Sequence, residues 1–215
     1  MAEWLNITFA NFDKTILTAI HEATANCNNI LTPIAKFLSV TGDLPLLVIG
    51  WTGFVLFWVL KDKKIGMHMC GSVIIGAILT TIILKNIIYR TRPYIADETY
   101  KIWWQAFNIK AYWDTSFPSG HACAAMAGVT AFFMRSKNKK VAWLAYLYPL
   151  ILGLSRIYLC VHYPSDVIGG YIVGAMAAII CIPFVNLFYY FFNKYPDVPF
   201  SRYCLTGSFK KEEKW

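Results

Sequence analysis

An all-α bundle of membrane-spanning helices is the fold this sequence predicts, on three observations. Of its 215 residues, 57% are hydrophobic and only 15% charged, with a mean hydropathy of +0.47, whereas an ordinary soluble domain carries roughly 25% charged residues. Five apolar runs, at 44–60, 65–84, 118–134, 141–159 and 167–192, approach or exceed the roughly 20 residues that cross a hydrocarbon core. Most of the cations are gathered into short hydrophilic segments between and after these runs, the pattern of loops that flank spans.

From the N-terminus, residues 1–28 read as an amphipathic segment with a helix at about 8–25, because apolar positions recur at helical spacing among Asp13, Lys14, His21 and Glu22. A further membrane helix is expected at roughly 29–42, which brings the bundle to six. The shorter runs can be completed by flanking aromatics and snorkelling cations. In the last run Pro183 predicts a kink, and the small residues of GGYIVGAMAA at 169–178 predict close packing on a neighbour. The tail at about 195–215 reads as cytoplasmic.

With no long linker, internal repeat or low-complexity tract, the chain is expected to form one membrane-embedded domain over 1–215. The N-terminus has no basic stretch leading into a short apolar one, so insertion through the protein's own helices is expected. Cys27, Cys70, Cys123, Cys160, Cys181 and Cys204 form no CxxC pair and read as packing residues, not as a disulfide framework or a zinc site. His68 reads as a packed or interfacial histidine, and His21 as a polar-face residue.

The net charge of +8 could point to nucleic acid, but its distribution points elsewhere. Lys61, Lys63 and Lys64, then Arg135, Lys137, Lys139 and Lys140, then Lys194, Arg202, Lys210, Lys211 and Lys214 fall on one face if each run spans once. That face is cytoplasmic by the positive-inside rule. A nucleic-acid surface would need an aqueous basic patch with stacking aromatics, so no nucleic-acid partner is expected. The alternation puts residues 41–43, the loop 90–117 and the turn 155–166 together on the extracytoplasmic face.

Three segments carry chemistry there. In KNIIYRTRP (85–93) Lys85 and Arg92 are seven apart, two turns, and so are expected on one face of a helix that Pro93 ends. Alone they would read as snorkelling interface cations. In FPSGH (117–121) Pro118 suits the first helical position, leaving Ser119, Gly120 and His121 in a first turn whose free N–H groups make an anion site. In SRIYLCVHYPSD (155–166) Arg156 ends one helix, His162 sits in the turn, Pro164 starts the next helix and Asp166 lies four residues beyond His162. A carboxylate so placed can accept from one imidazole nitrogen and leave the other with a lone pair, making His162 a nucleophile. A metal site fits poorly, since Lys85, Arg92 and Arg156 would repel a divalent ion. An anion fits, and phosphate is the anion that Arg forks and helix N-termini bind most readily.

Lys85-x6-Arg92-Pro93, Pro118-Ser119-Gly120-His121 and Ser155-Arg156-x5-His162-x3-Asp166 resemble, in order and spacing, the three-part signature of the type 2 phosphatidic acid phosphatase family, the superfamily shared with vanadium haloperoxidases. The resemblance covers roughly 40–190 and implies a six-helix membrane architecture. It also implies that His162 attacks phosphorus to form a phosphohistidine, with Asp166 orienting it, while His121 protonates the leaving oxygen and later activates water. Lys85, Arg92, Arg156, Ser119 and the Gly120 N–H would hold the phosphate oxygens, with no metal and no cofactor.

The implied substrate is a membrane lipid phosphate, and the small size, six helices and outward site resemble prokaryotic members that dephosphorylate undecaprenyl diphosphate or phosphatidylglycerophosphate. Undecaprenyl diphosphate is favoured because an outward site in the plasma membrane is where that product appears. Phosphatidic acid and diacylglycerol pyrophosphate stay open. Trp103, Trp104 and Trp113, in the aromatic-rich loop 100–113, are candidates for guiding a headgroup inward. A haloperoxidase would use the same pocket in a larger soluble protein, and a non-catalytic phosphate or phospholipid carrier would not need a carboxylate-oriented histidine opposite a second one.

Overall fold

The computed structural model describes residues 1–43 and 63–208, so the expected span at 44–60 lies outside the described residues. All regular elements among these are helices. They are α1 (Ala2–Thr8), α2 (Ala10–Thr24), α3 (Asn28–Asp43), α4 (Lys63–Ala77), α5 (Pro93–Ala96), α6 (Glu98–Ala106), α7 (Gly120–Arg135), α8 (Lys139–Leu144), α9 (Leu147–Tyr158), α10 (Pro164–Lys194) and α11 (Pro199–Thr206). A 3-10 turn, Ala25–Cys27, joins α2 to α3, and α4 runs on as a π-helix over Ile78–Leu84.

Three stretches among the described residues are long and apolar enough to cross a membrane: Lys63–Leu84, Lys139–Tyr158 and Pro164–Lys194. They coincide with three of the expected runs because hydropathy is a local property of the chain. The run at 118–134 becomes α7, whose 16 residues reach about 24 Å, and α3 carries only the shorter apolar stretch Ile30–Val40.

Helices α4, α7 and α10 pack on one another as the centre of the bundle. Small residues make this possible: a Cβ on Gly170 would sit 2.5 Å from the Ser119 carbonyl oxygen, and one on Gly174 would sit 2.4 Å from that of Cys123. The close approach expected of GGYIVGAMAA is therefore with α7, and it brings the first turns of α7 and α10 together. Helix α2 lies against α9 and α10, and α3 against α9.

The polarity of the molecule is reversed relative to a soluble domain. Ile74, Ile78, Ile82, Ile172, Ile179, Phe184 and Leu187 face outward, while Arg90, Arg92, Arg156, His68, His162 and Asp166 are almost fully buried. Such an exterior suits lipid, and ionisable side chains inside it need partners. His68 has one in the Ala178 carbonyl, 2.8 Å from Nε2, and is the packed histidine expected.

Two local expectations are corrected. Lys85 and Arg92 do not share a helix face: the helix ends at Leu84 with Lys85 as its C-cap, and Arg92 is extended (φ −71°, ψ 152°). Pro93 drives the preceding residue out of the helical region and, lacking an N–H, opens α5 instead of closing α4. Likewise α7 starts at Gly120, not Pro118, with Ser119 as its extended N-cap (φ −68°, ψ 114°). The Ser119 N–H is directed at the Asp166 carbonyl oxygen, 3.0 Å away.

Candidate active site

A cavity of about 210 Å³ collects Lys85, Arg92, Asp114, Gly120, His121, Arg156 and His162 in its wall, with Tyr112 and apolar residues of α4 and α7. Each polar residue arrives from a different piece of backbone. Lys85 comes from the end of the α4 π-turn and Arg92 from the extended segment before α5. Gly120 and His121 are the first two residues of α7, Arg156 is in the last turn of α9, and His162 is in the tight turn between α9 and α10. A Cβ built on Gly120 would meet nothing within 4 Å, so the N-terminus of α7 is open to a ligand. Ser119 stands at its cap, with Oγ buried and no hydrogen-bond partner among the described residues.

The geometry fixes the tautomer of His162. Arg92 Nη1 lies 3.3 Å from His162 Nε2 and 2.8 Å from the Val161 carbonyl oxygen. A guanidinium only donates, so Nε2 is the acceptor and carries the lone pair, and the ring proton is on Nδ1. Burial, followed by the charges of Arg92, Arg156, Lys85 and His121, pushes His162 well below its ordinary range, so the imidazole is neutral.

The expected hydrogen bond from His162 to Asp166 is not formed. His162 Nδ1 stands 3.7 Å from Asp166 Oδ2, beyond hydrogen-bond range, and has no hydrogen-bond partner among the described residues. The carboxylate is engaged elsewhere. Oδ2 accepts from the Tyr163 N–H at 2.8 Å and from the Ser116 hydroxyl, and Oδ1 accepts from Arg90 Nη1 at 2.6 Å. His121 Nε2 faces the Ser39 carbonyl oxygen at 3.1 Å, and the Ser39 hydroxyl accepts from Arg156 Nη1.

Two cations of the constellation already hold an anion. Asp114 Oδ1 accepts from Arg92 Nη2 at 2.6 Å, and Oδ2 pairs with Lys85. Burial alone would raise the Asp114 carboxyl, but Arg92 and Lys85 beside it hold it down at about 2. The ring of Tyr112 lies under both guanidinium groups, 4.7 Å from that of Arg92 and 5.0 Å from that of Arg156, a cation–π support for the clamp.

Of the three candidate access tryptophans, none lines this cavity. Trp103 stacks on His21 at 3.7 Å and Trp104 on Tyr94 at 4.5 Å, which gives His21 a packing partner in place of a polar face. Trp113, beside Asp114, is 96% exposed.

Sequence reasoning does not single out Ser39, Asp114, Ser116, Arg90 or Asp13 as site residues, and it places Tyr112 only within the aromatic loop. For Asp13 a signal existed: it shares the helical face of Phe9, Leu17 and Ile20, and a lone carboxylate in an apolar stripe needs a buried cation.

Comparison with known proteins follows the same residues. The PAP2 superfamily profile matches residues 65–190. The undecaprenyl-diphosphatase BcrC of Bacillus subtilis is 25% identical over 174 residues, covering 80% of this chain and 83% of that one. Phosphatidylglycerophosphatase B of the same organism is 30% identical over 158 residues, or 69% and 70% of the two chains. The crystal structure of Aquifex aeolicus LpxE superposes with a TM-score of 0.60 over 78% of this chain and 94% of the other, at 22% identity, a likeness of fold.

Proposed function

The chain belongs to the PAP2 superfamily of phosphoric-ester hydrolases, and from that premise we propose that it is a multi-pass plasma-membrane lipid phosphatase that converts undecaprenyl diphosphate to undecaprenyl phosphate. The observation that carries the reading is the meeting of Lys85, Arg92, Arg156, His121 and His162 around one cavity. The similarity to BcrC over four-fifths of the chain favours the diphosphate, and the similarity to phosphatidylglycerophosphatase B makes phosphatidylglycerophosphate the second candidate.

In the proposed reaction His162 Nε2, neutral and carrying the lone pair that Arg92 Nη1 meets at 3.3 Å, attacks the terminal phosphorus once that guanidinium turns to the phosphate. The P–N bond forms as the P–O bond to the leaving phosphate breaks, and His121 gives its proton to that oxygen. Water, deprotonated by His121, then attacks the phosphohistidine and releases inorganic phosphate. Lys85, Arg92 and Arg156, with Ser119 and the Gly120 N–H, hold the three equatorial oxygens and offset the charge developing on them. These cations do the work that Mg²⁺ does in other phosphoryl transfers, so the reaction is expected to need no metal.

Besides that turn of Arg92, two movements are required. Asp114 must yield Lys85 and Arg92 to the incoming phosphate, and Asp166 Oδ2 must close the 3.7 Å gap to His162 Nδ1 as imidazole charge develops. Apo geometries of catalytic hydrogen bonds are commonly this loose. Exposed Trp113 is available to a headgroup, and the clustering of cations in the other loops supports a six-helix bundle with the site on the extracytoplasmic side.

The test is phosphate release in detergent with EDTA present, from undecaprenyl diphosphate, phosphatidylglycerophosphate and phosphatidic acid in parallel, by wild type and His162→Ala. Release from the diphosphate that survives EDTA and falls by several orders of magnitude in the variant is expected. Release that His162→Ala leaves intact would overturn the nucleophile, and preference for another lipid would overturn the substrate.

A further inference from the structure

We infer that Arg90, held in turn by Asp13 of the N-terminal helix α2, is a positioning residue for the catalytic pair, fixing the Asp166 carboxylate so that its Oδ2 faces His162. The inference rests on His162 being the nucleophile.

The guanidinium of Arg90 is 2% exposed and almost wholly committed. Nη1 donates to Asp166 Oδ1 at 2.6 Å and to Ser165 Oγ at 2.7 Å, Nη2 to Asp13 Oδ2 at 2.8 Å, and Nε to Asn6 Oδ1 at 2.9 Å. The ring of Tyr163 lies 4.1 Å beneath it. Asp13, also 2% exposed, anchors the same turn directly, accepting from the Ser165 N–H at 2.8 Å and from Ser165 Oγ at 2.7 Å. That N–H is one of the donors a helix start leaves without an intrahelical partner, so α2 caps α10 from outside.

A carboxylate held on one oxygen only can turn about its Cβ–Cγ bond. Arg90 removes that freedom. With Oδ1 fixed by the guanidinium and Oδ2 by the Tyr163 N–H and Ser116, the remaining approach of Oδ2 to His162 Nδ1 is a shortening, not a rotation. A buried acid–base–acid triad is weak evidence for stability, since well-packed apolar residues often do as well. Its place here, with one acid facing the nucleophile, is explained by orientation. Backbone geometry ties Arg90 to the rest of the site too: the Ser116 N–H donates to its carbonyl oxygen at 2.7 Å, and Arg92 follows two residues later. Asp13 lies outside the 65–190 segment that the family profile matches, so the N-terminal helix becomes part of the catalytic apparatus.

The test uses the full chain in detergent with undecaprenyl diphosphate, comparing wild type, Asp13→Asn, Arg90→Lys and Asp166→Asn with the double variant Asp13→Asn/Asp166→Asn. Asp13→Asn keeps size and shape, so it remains informative if the Arg90 variant does not fold. The expected result is a fall in kcat of about tenfold or more for Asp13→Asn and Arg90→Lys, the scale found for groups that orient metal-binding histidines. KM and the Ki of inorganic phosphate should stay within about twofold, because Lys85, Arg92 and Arg156 are untouched. Asp13→Asn should add little to Asp166→Asn, since both act through one carboxylate. An unchanged kcat, phosphate affinity falling in step with kcat, or fully additive losses would overturn the inference while leaving the phosphatase reading in place. A wild type that hydrolyses no lipid phosphate would overturn both.

Discussion

Replacing Asp114 with Asn should tighten phosphate binding, because the protein's own carboxylate occupies two of its three proposed phosphate cations. Asn keeps an oxygen for Arg92 and so preserves the shape of the loop while removing the charge. Asp114 is 49% exposed, against 2% for Arg92 and 10% for Lys85, so solvent screens each pair and about 0.5–1 kcal/mol apiece is the appropriate scale. Losing both competitors frees about 1–2 kcal/mol, a roughly five- to thirtyfold lower Ki for inorganic phosphate. The assay is competitive inhibition of lipid hydrolysis by phosphate, read at several pH values between 5 and 8. With the wild-type carboxyl held at about 2, it is ionised across that range, so the ratio of the two Ki values should not drift. The same pairing stabilises the fold above the free carboxyl value of 3.8 and is lost as pH falls through about 2. A Ki that is unchanged or weakened in the variant would refute the competition and make Asp114 an ally of the cations.

Three further outcomes are expected. The acid limb of kcat/KM should lie well below pH 6.5, because burial and then the surrounding cations depress His162 in the fold; a limb at or above 6.5 would contradict the neutral nucleophile. The same depression means that the unfolded chain takes up this proton first, so His162 lowers stability progressively as pH falls below 6.5. Gly174→Ala should destabilise the detergent-solubilised protein by about 1–3 kcal/mol, since its Cβ would meet the Cys123 carbonyl oxygen at 2.4 Å and the Ala127 nitrogen at 3.0 Å, whereas Gly120→Ala should leave the melting midpoint nearly unchanged. A cysteine at Thr115 should react with an impermeant reagent added outside intact cells, and labelling only from inside would reverse the proposed orientation.

The parts of this molecule that local sequence governs were legible without coordinates. Apolar length alone locates Lys63–Leu84, Lys139–Tyr158 and Pro164–Lys194, and the spacing of Arg156, His162 and Asp166 reports a helix end, a turn and a helix start. Lys85 and Arg92 line one cavity for a reason other than helical periodicity: Pro93 holds the segment before it extended, and it is the cavity, with Asp114, that brings them together. The ion pairs were the least legible. Asp13 and Arg90 are 77 positions apart in sequence, and nothing in either neighbourhood names the other. The clamp by Asp114 was hidden differently, since a carboxylate in a loop ordinarily faces water.

The outward row of Ile74, Ile78, Ile82, Ile172 and Ile179 changes what concentration means for this enzyme. A protein and a lipid phosphate dissolved in the same sheet meet by lateral diffusion, and saturation is set by the fraction of neighbouring molecules that are substrate, not by moles per litre. Adding inert detergent or lipid at fixed total substrate should therefore slow turnover as though substrate had been withdrawn, while adding buffer should not.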